Sequence, residues 1–547
     1  MLVRDVIGQF LVDQGVRTVF GVVGSGNFHV TDAMVSAGAR FVAARHEGGA
    51  ATMADGYARM SGEVGVVTLH QGCGYTNALT GLTEASKSHT PLLVITAEAT
   101  DERSNFFIDQ GSVARGLGAS ATRVRSADTA LEDVARAYAL ARNGRRTVVL
   151  NVPIDVQDQD WRGAGIPAVP ARLGEPRPDD DDIGSFVELL LSAERPVFVV
   201  GRGGRSDEGR NAVAELAGRC GALLATSAVA RGLFNEEAWG IDVSGGFSSP
   251  LTAELIGKAD LIVGFGCVLN MWTMRHGKLI SETAKVVQVD IDPMAIGRNR
   301  PVDLGLWGGV VETAAAASAE IDLRGTPPPT GYRTEEVAQR LRNELRWSQA
   351  ETLNLSTGDR IDPRIFSREL NNLLPAERVL SVDSGNFLGY ATMYLDVPDE
   401  NGFCFTQAFQ SVGLGLATAI GAAIAQPRRL PIAACGDGGF LMGISELETV
   451  SRLALPMLVV VYNDAMYGAE VHHFSPGGDP PDIVTFPDSD LASIARGYGC
   501  DAITVRSIDQ LAPVKDWISS GPSRPLVIDA KIASDSGSWW LQEAFGH

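Results

Sequence analysis

The sequence predicts an α/β protein made of three doubly wound parallel-sheet units, and three observations carry that expectation. Short apolar runs of strand length alternate with helical patterns nearly throughout. Those runs are continuously apolar, as strands covered by helices on both faces must be. At 547 residues the chain exceeds one ordinary core, and two stretches rich in Pro, Gly and charge divide it.

In chain order, "MLVRDVIGQFLVDQGV" reads as an amphipathic helix without the apolar core and cleavage signal of a secretory peptide. The strand-like runs follow: "TVFGVV", "RFVAA", "VGVVTL", "PLLVITA" and "RTVVLNV", then "PVFVVG", "ALLATS", "DLIVGFG" and "KVVQVDID". The segment 157–182 and the segment 324–336, with its three consecutive prolines, read as linkers. The expected domains are therefore 1–160, 183–323 and 355–547, sizes ordinary for single domains.

Composition narrows the function classes. The chain is 45% hydrophobic and 20% charged, with a net charge of −20, which argues against an electrostatic nucleic-acid binder. Its six cysteines are scattered without a CxxC pair, as free thiols in a reducing compartment would be. No run approaches the roughly 18 apolar residues of a membrane span. A cytoplasmic location without membrane or nucleic-acid partners is expected.

The chemistry begins at "CGDGGF", residues 435–440. It follows the apolar run "LPIAA" and precedes the helical pattern "GISELETVSRLAL", in which Ser445 and Glu448 suggest a capping box. A glycine turn between strand and helix exposes backbone N–H groups suited to an anion. No Lys-Ser/Thr follows, so this is not a P-loop, and Asp437 would repel a phosphate unless a cation lay between them. The next buried strand, "MLVVVYNDAMYG", ends in Asn463 and Asp464, which places Asp464 27 residues after Asp437. In a parallel sheet both acids fall at the carboxyl edge, where open α/β sheets bind ligands. Two carboxylates, a loop carbonyl, two diphosphate oxygens and a water make an octahedral Mg²⁺ shell.

At this point the chain resembles the thiamine-diphosphate (ThDP) enzymes, in particular the acetolactate synthase and benzoylformate decarboxylase group. "GDGGF…YND" is similar to that family's diphosphate motif, which ends in an Asn pair; here the second Asn is Asp464. The resemblance implies Asp437, Asp464 and the backbone carbonyl of Met466 as Mg²⁺ ligands. It implies a cofactor cradle from Gly436, Asp437, Gly438, Gly439, Phe440, Asp464, Met466, Tyr467 and Gly468. "DSGNFLG" adds Gly385, Asn386 and Phe387. "QSVGLGLATAIG" puts Val412 where relatives carry a larger residue that bends the cofactor, although a plain core valine reads equally well. In the first unit, "RFVAARHEGGAATMADGYARMSG" resembles the stretch that bears the activating acid, here Glu47. A lone Glu at that place would otherwise read as a helix-dipole partner. The resemblance further implies a pyrimidine-binding first domain, a middle domain and a diphosphate-binding third domain. It also implies a homodimer or homotetramer with each cofactor held between two subunits.

For the reaction, "VVTLHQGCGYTNALTGLTEASKSHTPLLVITAEAT" resembles the corresponding stretch of benzoylformate decarboxylase. His70 is thereby a candidate proton donor or acceptor, against the plainer reading of a buried structural histidine. Ser25, in "GVVGSGN", is a candidate for a substrate carboxylate or hydroxyl, or a simple loop residue. "FFIDQGS" falls near a glutamine-bearing loop of the family, with either Asp109 or Gln110 in that place. His29, against the plainer reading of a His on the helix face, and the pair His472 and His473, whose side chains as neighbours point apart, are further candidates for lining the substrate channel. FAD is not inferred, because "GCVLNMWTMRHGKL" lacks the family's flavin-associated Arg-Phe-Asp-Asp stretch. The favoured expectation is an acetolactate-synthase-like carboligase acting on small 2-oxo acids or aldehydes. The alternatives are a 2-oxo acid decarboxylase or 2-hydroxyketone lyase, then a non-catalytic ThDP-fold subunit or a flavin-dependent oxidase.

Overall fold

The computed structural model describes residues 1–171, 174–325, 329–475, 481–534 and 541. Residues 172–173 and 326–328 of the two expected linkers lie outside the described residues, as do 535–540 and 542–547 of the expected third domain.

Three six-stranded sheets form, and every strand pair in them is parallel. The first holds β1 (Thr18–Gly21), β2 (Arg40–Ala43), β3 (Gly65–Leu69), β4 (Leu92–Glu98), β5 (Ser120–Arg123) and β6 (Thr147–Pro153), in the order β2-β1-β3-β4-β6-β5. The middle sheet holds β7 (Pro196–Val200), β8 (Leu223–Thr226), β9 (Gly240–Val243), β10 (Leu261–Phe265), β11 (Lys285–Asp290) and β12 (Leu304–Trp307), in the order β12-β11-β10-β7-β8-β9. The third holds β13 (Arg378–Val382), β14 (Phe403–Phe405), β15 (Leu430–Gly436), β16 (Leu458–Asn463), β17 (Asp501–Val505) and β18 (Leu526–Lys531), in the order β14-β13-β15-β16-β18-β17.

The first and third sheets therefore share one topology, strand for strand. In each, the chain leaves the first strand to one side and returns on the other, so a switch point opens between β1 and β3 and between β13 and β15. Ligands bind at such crevices because the loops there diverge and leave the strand ends uncovered.

All nine quoted apolar runs of the first two units are strands. The unread strands β5, β9, β12, β14 and β17 all lie at sheet edges, where one open side relaxes the demand for continuous apolar sequence. β13 and β18 escaped because the buried charges Arg378, Asp529 and Lys531 interrupt their apolar character. Beyond 323, Tyr332, Val337 and Leu341 add to the core of the middle unit, and the helix Glu335–Glu344 begins inside the second expected linker.

The first and third units are packed through two equivalent helices, Glu47–Ser61 and Gly415–Ala425. A Cβ on Gly421 would lie 2.1 Å from the Met53 carbonyl oxygen, and one on Gly56 would lie 2.8 Å from that of Thr418. Only glycine admits backbones this close. Beside them the buried Arg59 donates to Asp55, Glu84 and the Phe405 carbonyl. Burial pushes the Glu84 carboxyl up, but Arg59 and the amides of Phe409 and Ala408 outweigh it and hold the acid below its ordinary range.

Candidate active site

At the first switch point the loop 24–27 leaves β1. Asn27 accepts from the Gly24 amide (2.8 Å) and donates to Thr68 on β3 (3.1 Å), so the loop is fixed to the neighbouring strand. Ser25 stands exposed on it, with Oγ 3.3 Å from Nε2 of His70, the residue after β3. His70 Nδ1 lies 2.8 Å from the Gln71 carbonyl oxygen. A carbonyl only accepts, so Nδ1 carries the proton and Nε2 presents its lone pair to the Ser25 hydroxyl. The Phe106 ring meets the imidazole edge-on at 5.0 Å. A Cβ on Gly24 would stand 2.3 Å from His70 Cδ2 and displace the ring.

Glu47 opens the helix Glu47–Ser61, whose N-cap is His46. Its carboxylate is half-buried and accepts from Asn77 Nδ2 at 3.0 Å. Gly74 joins the two acid–base groups: a Cβ there would contact His70 Cβ at 2.9 Å and Glu47 Oε1 at 3.2 Å. His70 and Glu47 thus flank one small residue, and Ser25 joins them through its contact with His70. Gln110 stands elsewhere. It is buried, its Oε1 accepts from the Gly72 amide (2.9 Å), and its Nε2 donates to Ala97 O (3.0 Å) and Asn151 Oδ1 (2.8 Å). Asp109 beside it is an exposed N-cap. Of the two, Gln110 faces inward, where it holds the loop that follows His70. His29 is exposed on the helix Phe28–Ser36, and His472 and His473 lie in the last turn of the helix Gly468–Phe474.

In the third unit β15 runs directly into the helix Asp437–Met442. The expected capping box at Ser445 and Glu448 does not form. Ser445 is itself helical and makes no side-chain cap, and the Glu448 amide that the box would use donates instead to the Ser445 carbonyl at 3.3 Å. Asp437 and Asp464 follow the adjacent parallel strands β15 and β16. Burial pushes both carboxyls above the ordinary range, and the charge of Asp437 pushes Asp464 further. Asn463 turns away into the core to donate to Asp529 (2.9 Å), which leaves Asp464 at the edge. Behind them the buried Lys531 pairs with Asp529 at 3.0 Å and pulls Asp437 back towards its ionised form.

The cradle around these acids has no room for side chains. A Cβ on Gly436 would meet Phe387 at 3.1 Å, one on Gly438 would meet Tyr467 at 2.9 Å, and one on Gly468 would meet Asp464 at 2.8 Å. Gly385 has φ +140°, a left-handed value suited to glycine, and Asn386 after it is buried. Met466 pairs with Thr485, and Tyr467 is partly exposed. Val412 is 39% exposed, and a Cβ on Gly439 would lie 3.2 Å from its Cγ1, so it stands beside the acidic turn and is no core valine. Two predicted residues lie beneath the site. Phe440 is fully buried in the core shared with the first unit, and Phe387 stacks on Tyr462 at 5.4 Å.

The sequence profile decides the family. The chain matches the "Thiamine pyrophosphate enzyme, N-terminal TPP binding domain" over residues 1–115, the central domain over 183–317 and the C-terminal TPP binding domain over 383–530. The chain belongs to the thiamine pyrophosphate enzymes. It is 30% identical to a probable 2-ketoarginine decarboxylase of Pseudomonas aeruginosa, over 92% of this chain and 89% of that protein. It is 26% identical to a sulfoacetaldehyde acetyltransferase of Rhodobacter capsulatus, over 100% of this chain and 96% of that one. It is also 26% identical to a chloroplastic acetolactate synthase of Arabidopsis thaliana, over 92% and 78%. These relatives are transferases and a lyase, and this chain is a ThDP-dependent enzyme of that kind.

The residues present fit the cofactor. Two hard carboxylates, both raised by burial and Asp464 raised further by the charge of Asp437, form a donor set for a hard divalent cation. The glycines beside them keep the backbone free of side chains, so that the amides of a turn can face an anion. Reading the sequence alone missed Asn77 and Asp383. Asp383 accepts from the Ser384, Gly413 and Leu414 amides and so holds the Val412 loop, while burial pushes its carboxyl up to about 6. Its signal was its place directly after an apolar strand.

Proposed function

We propose that this enzyme uses ThDP and Mg²⁺ to form or cleave a carbon–carbon bond next to the carbonyl of a small 2-oxo acid or aldehyde, with carboligation favoured. The observation that carries this reading is the pair Asp437 and Asp464 at neighbouring strand ends, joined by a glycine cradle and matched in the other unit by the Glu47 cluster. Bound ThDP supplies a nucleophilic thiazolium carbon and an electron sink for the acyl carbanion equivalent. Asp437, Asp464 and the Met466 carbonyl hold the metal. Glu47 exchanges a proton with the aminopyrimidine, and Asn77 fixes its orientation.

His70 and Ser25 handle the substrate. With Nδ1–H pinned to the Gln71 carbonyl, Nε2 takes a proton from, or in its charged form gives one to, a group that displaces the Ser25 hydroxyl. Gln110 acts through the Gly72 loop, as a positioning residue. No hydrogen bond or ion pair among the described residues links Ser25, Glu47 or His70 to Asp437 or Asp464. Around the two edges, Val23, Phe28, Phe106 and Phe107 on one unit and Phe409, Leu441, Met442 and Tyr467 on the other are partly exposed. Both features support a homodimer or homotetramer in which each site is built from two copies.

Product analysis tests the reaction. With ThDP and Mg²⁺, the enzyme is given pyruvate, benzoylformate and a panel of aldehydes. A 2-hydroxyketone or acetolactate alongside CO₂ is the expected result, and CO₂ with free aldehyde alone establishes the decarboxylase reading instead. His70→Ala is expected to slow the proton-transfer step by about 10²–10⁴-fold, seen in kcat with KM little changed. Unchanged kcat would remove His70 from the mechanism.

A further inference from the structure

The helix Glu446–Arg452 belongs to the third unit, yet its polar side chains grip the first. Glu446 is 2% exposed. Its Oε1 accepts from the backbone amides of Arg45 (3.1 Å) and His46 (3.0 Å), and its Oε2 accepts from Arg45 N (3.2 Å) and Thr449 Oγ1 (2.7 Å). Arg452 Nη2 donates to the Ala43 carbonyl, and Glu448 faces the Arg45 guanidinium at 3.7 Å. The segment 43–46 gripped in this way ends directly before Glu47. Gly49, in the first turn of the Glu47 helix, leaves the space that the carboxylate needs, since a Cβ there would stand 2.3 Å from Glu446 Oε1.

The shared topology of the first and third sheets supplies an independent counterpart. After β3, Glu84 of the first unit reaches the loop that follows β14 and accepts from the amides of Ala408 (3.1 Å) and Phe409 (2.6 Å). That loop leads to Val412. After β15, the strand equivalent to β3, Glu446 reaches the loop that follows β2, the strand equivalent to β14. Each unit therefore sends one buried carboxylate into the other, onto the two consecutive amides ahead of a predicted cofactor-contacting residue.

We propose that Glu446 is a positioning residue for Glu47: it latches the loop between β2 and the Glu47 helix to the helix pair that begins at Asp437. The inference rests on the reading of Glu47 as the activating acid. A charged acceptor holds two backbone donors far more firmly than a neutral amide does. Glu446→Gln removes one acceptor and turns an NH₂ towards donors. Loosening the loop leaves Glu47 present but displaced, and a displacement of about 1 Å costs on the order of 10² in rate.

The test uses the holoenzyme and three readouts. Amide hydrogen exchange at residues 45 and 46 is expected to quicken in Glu446→Gln. Exchange of the thiazolium C2 proton of bound ThDP and kcat are expected to fall by about 10²-fold, with the ThDP Kd, KM and Tm little changed. In a Glu47→Ala background the same substitution is expected to add nothing to the loss of C2 exchange. Gly49→Ala displaces the carboxylate from the other side and is expected to quicken the same two amides, which covers the case in which Glu446→Gln fails to fold. Unchanged protection of those amides in both variants would overturn the latch. So would an equal further loss of C2 exchange in the Glu47→Ala background. If Glu47→Ala alone leaves C2 exchange intact, the reading of Glu47 fails, while amide protection still decides whether the latch exists.

Discussion

Glu47→Ala is expected to lower turnover by about 10²–10⁴-fold while ThDP binding remains measurable, because a positioned acid–base group contributes that much to the step it serves. Glu47 is half-buried, opens a helix, and is oriented by Asn77 at 3.0 Å. The alanine variant removes the carboxylate and little packing, so the thermal midpoint should barely move. Steady-state kinetics and cofactor titration separate the two effects, and full activity in the variant would remove the mechanism. The same variant tests whether sites are shared. If each site takes Glu47 from one copy and Asp437 from another, a mixed dimer of Glu47→Ala and Asp437→Ala carries one intact site and one doubly defective site. Subunit exchange between the two inactive variants is then expected to restore activity. Lack of recovery in a mixture shown by mass to contain the heterodimer would place both residues in one chain's site.

Much of the candidate site could be assembled from the sequence because the motifs that point to it are local. Asp437 and Asp464 could be paired from strand ends and spacing, whereas Glu47 was marked only by the resemblance of its stretch to the family's, since a helix start alone reads as a dipole partner. The part that could not be read depends on contacts between distant residues. "DQ" in "FFIDQGS" left two candidates open, and only the fold turned Gln110 inward to Gly72 and Asn151. Phe440 sits in the acidic motif yet packs wholly in the core, and Phe387 stacks under the turn, because a motif fixes neighbours in sequence and not the direction of a side chain. The capping box failed for a related reason: backbone carbonyls of the preceding turn already satisfied the amides. Nothing in the sequence singles out Glu446, since its partners at residues 45 and 46 lie about 400 positions away.

Asp437→Ala is expected to weaken Mg²⁺-dependent ThDP binding by on the order of 10²-fold or more, since losing even a group that only orients a metal ligand costs about 10–100-fold. Asp464→Asn should behave differently. It keeps an oxygen donor and restores the amide that the family motif carries there, but it removes one of two charges that repel each other. In the native enzyme burial raises both carboxyls and the Asp437 charge raises Asp464 further, so protons compete with the cation at mildly acidic pH. Metal affinity is then expected to fall as pH drops through that raised range, because each carboxylate must lose its proton before it can bind. With Asp464→Asn the acid that keeps its proton to the higher pH is gone, and only Asp437 must ionise before the metal binds. Affinity at pH 8 should weaken modestly for want of one ligand charge, while the acid limb of the binding curve moves to lower pH. Titrations of Mg²⁺ at fixed ThDP from pH 5.5 to 8 measure both effects. An unmoved acid limb would mean that the two acids do not share the metal.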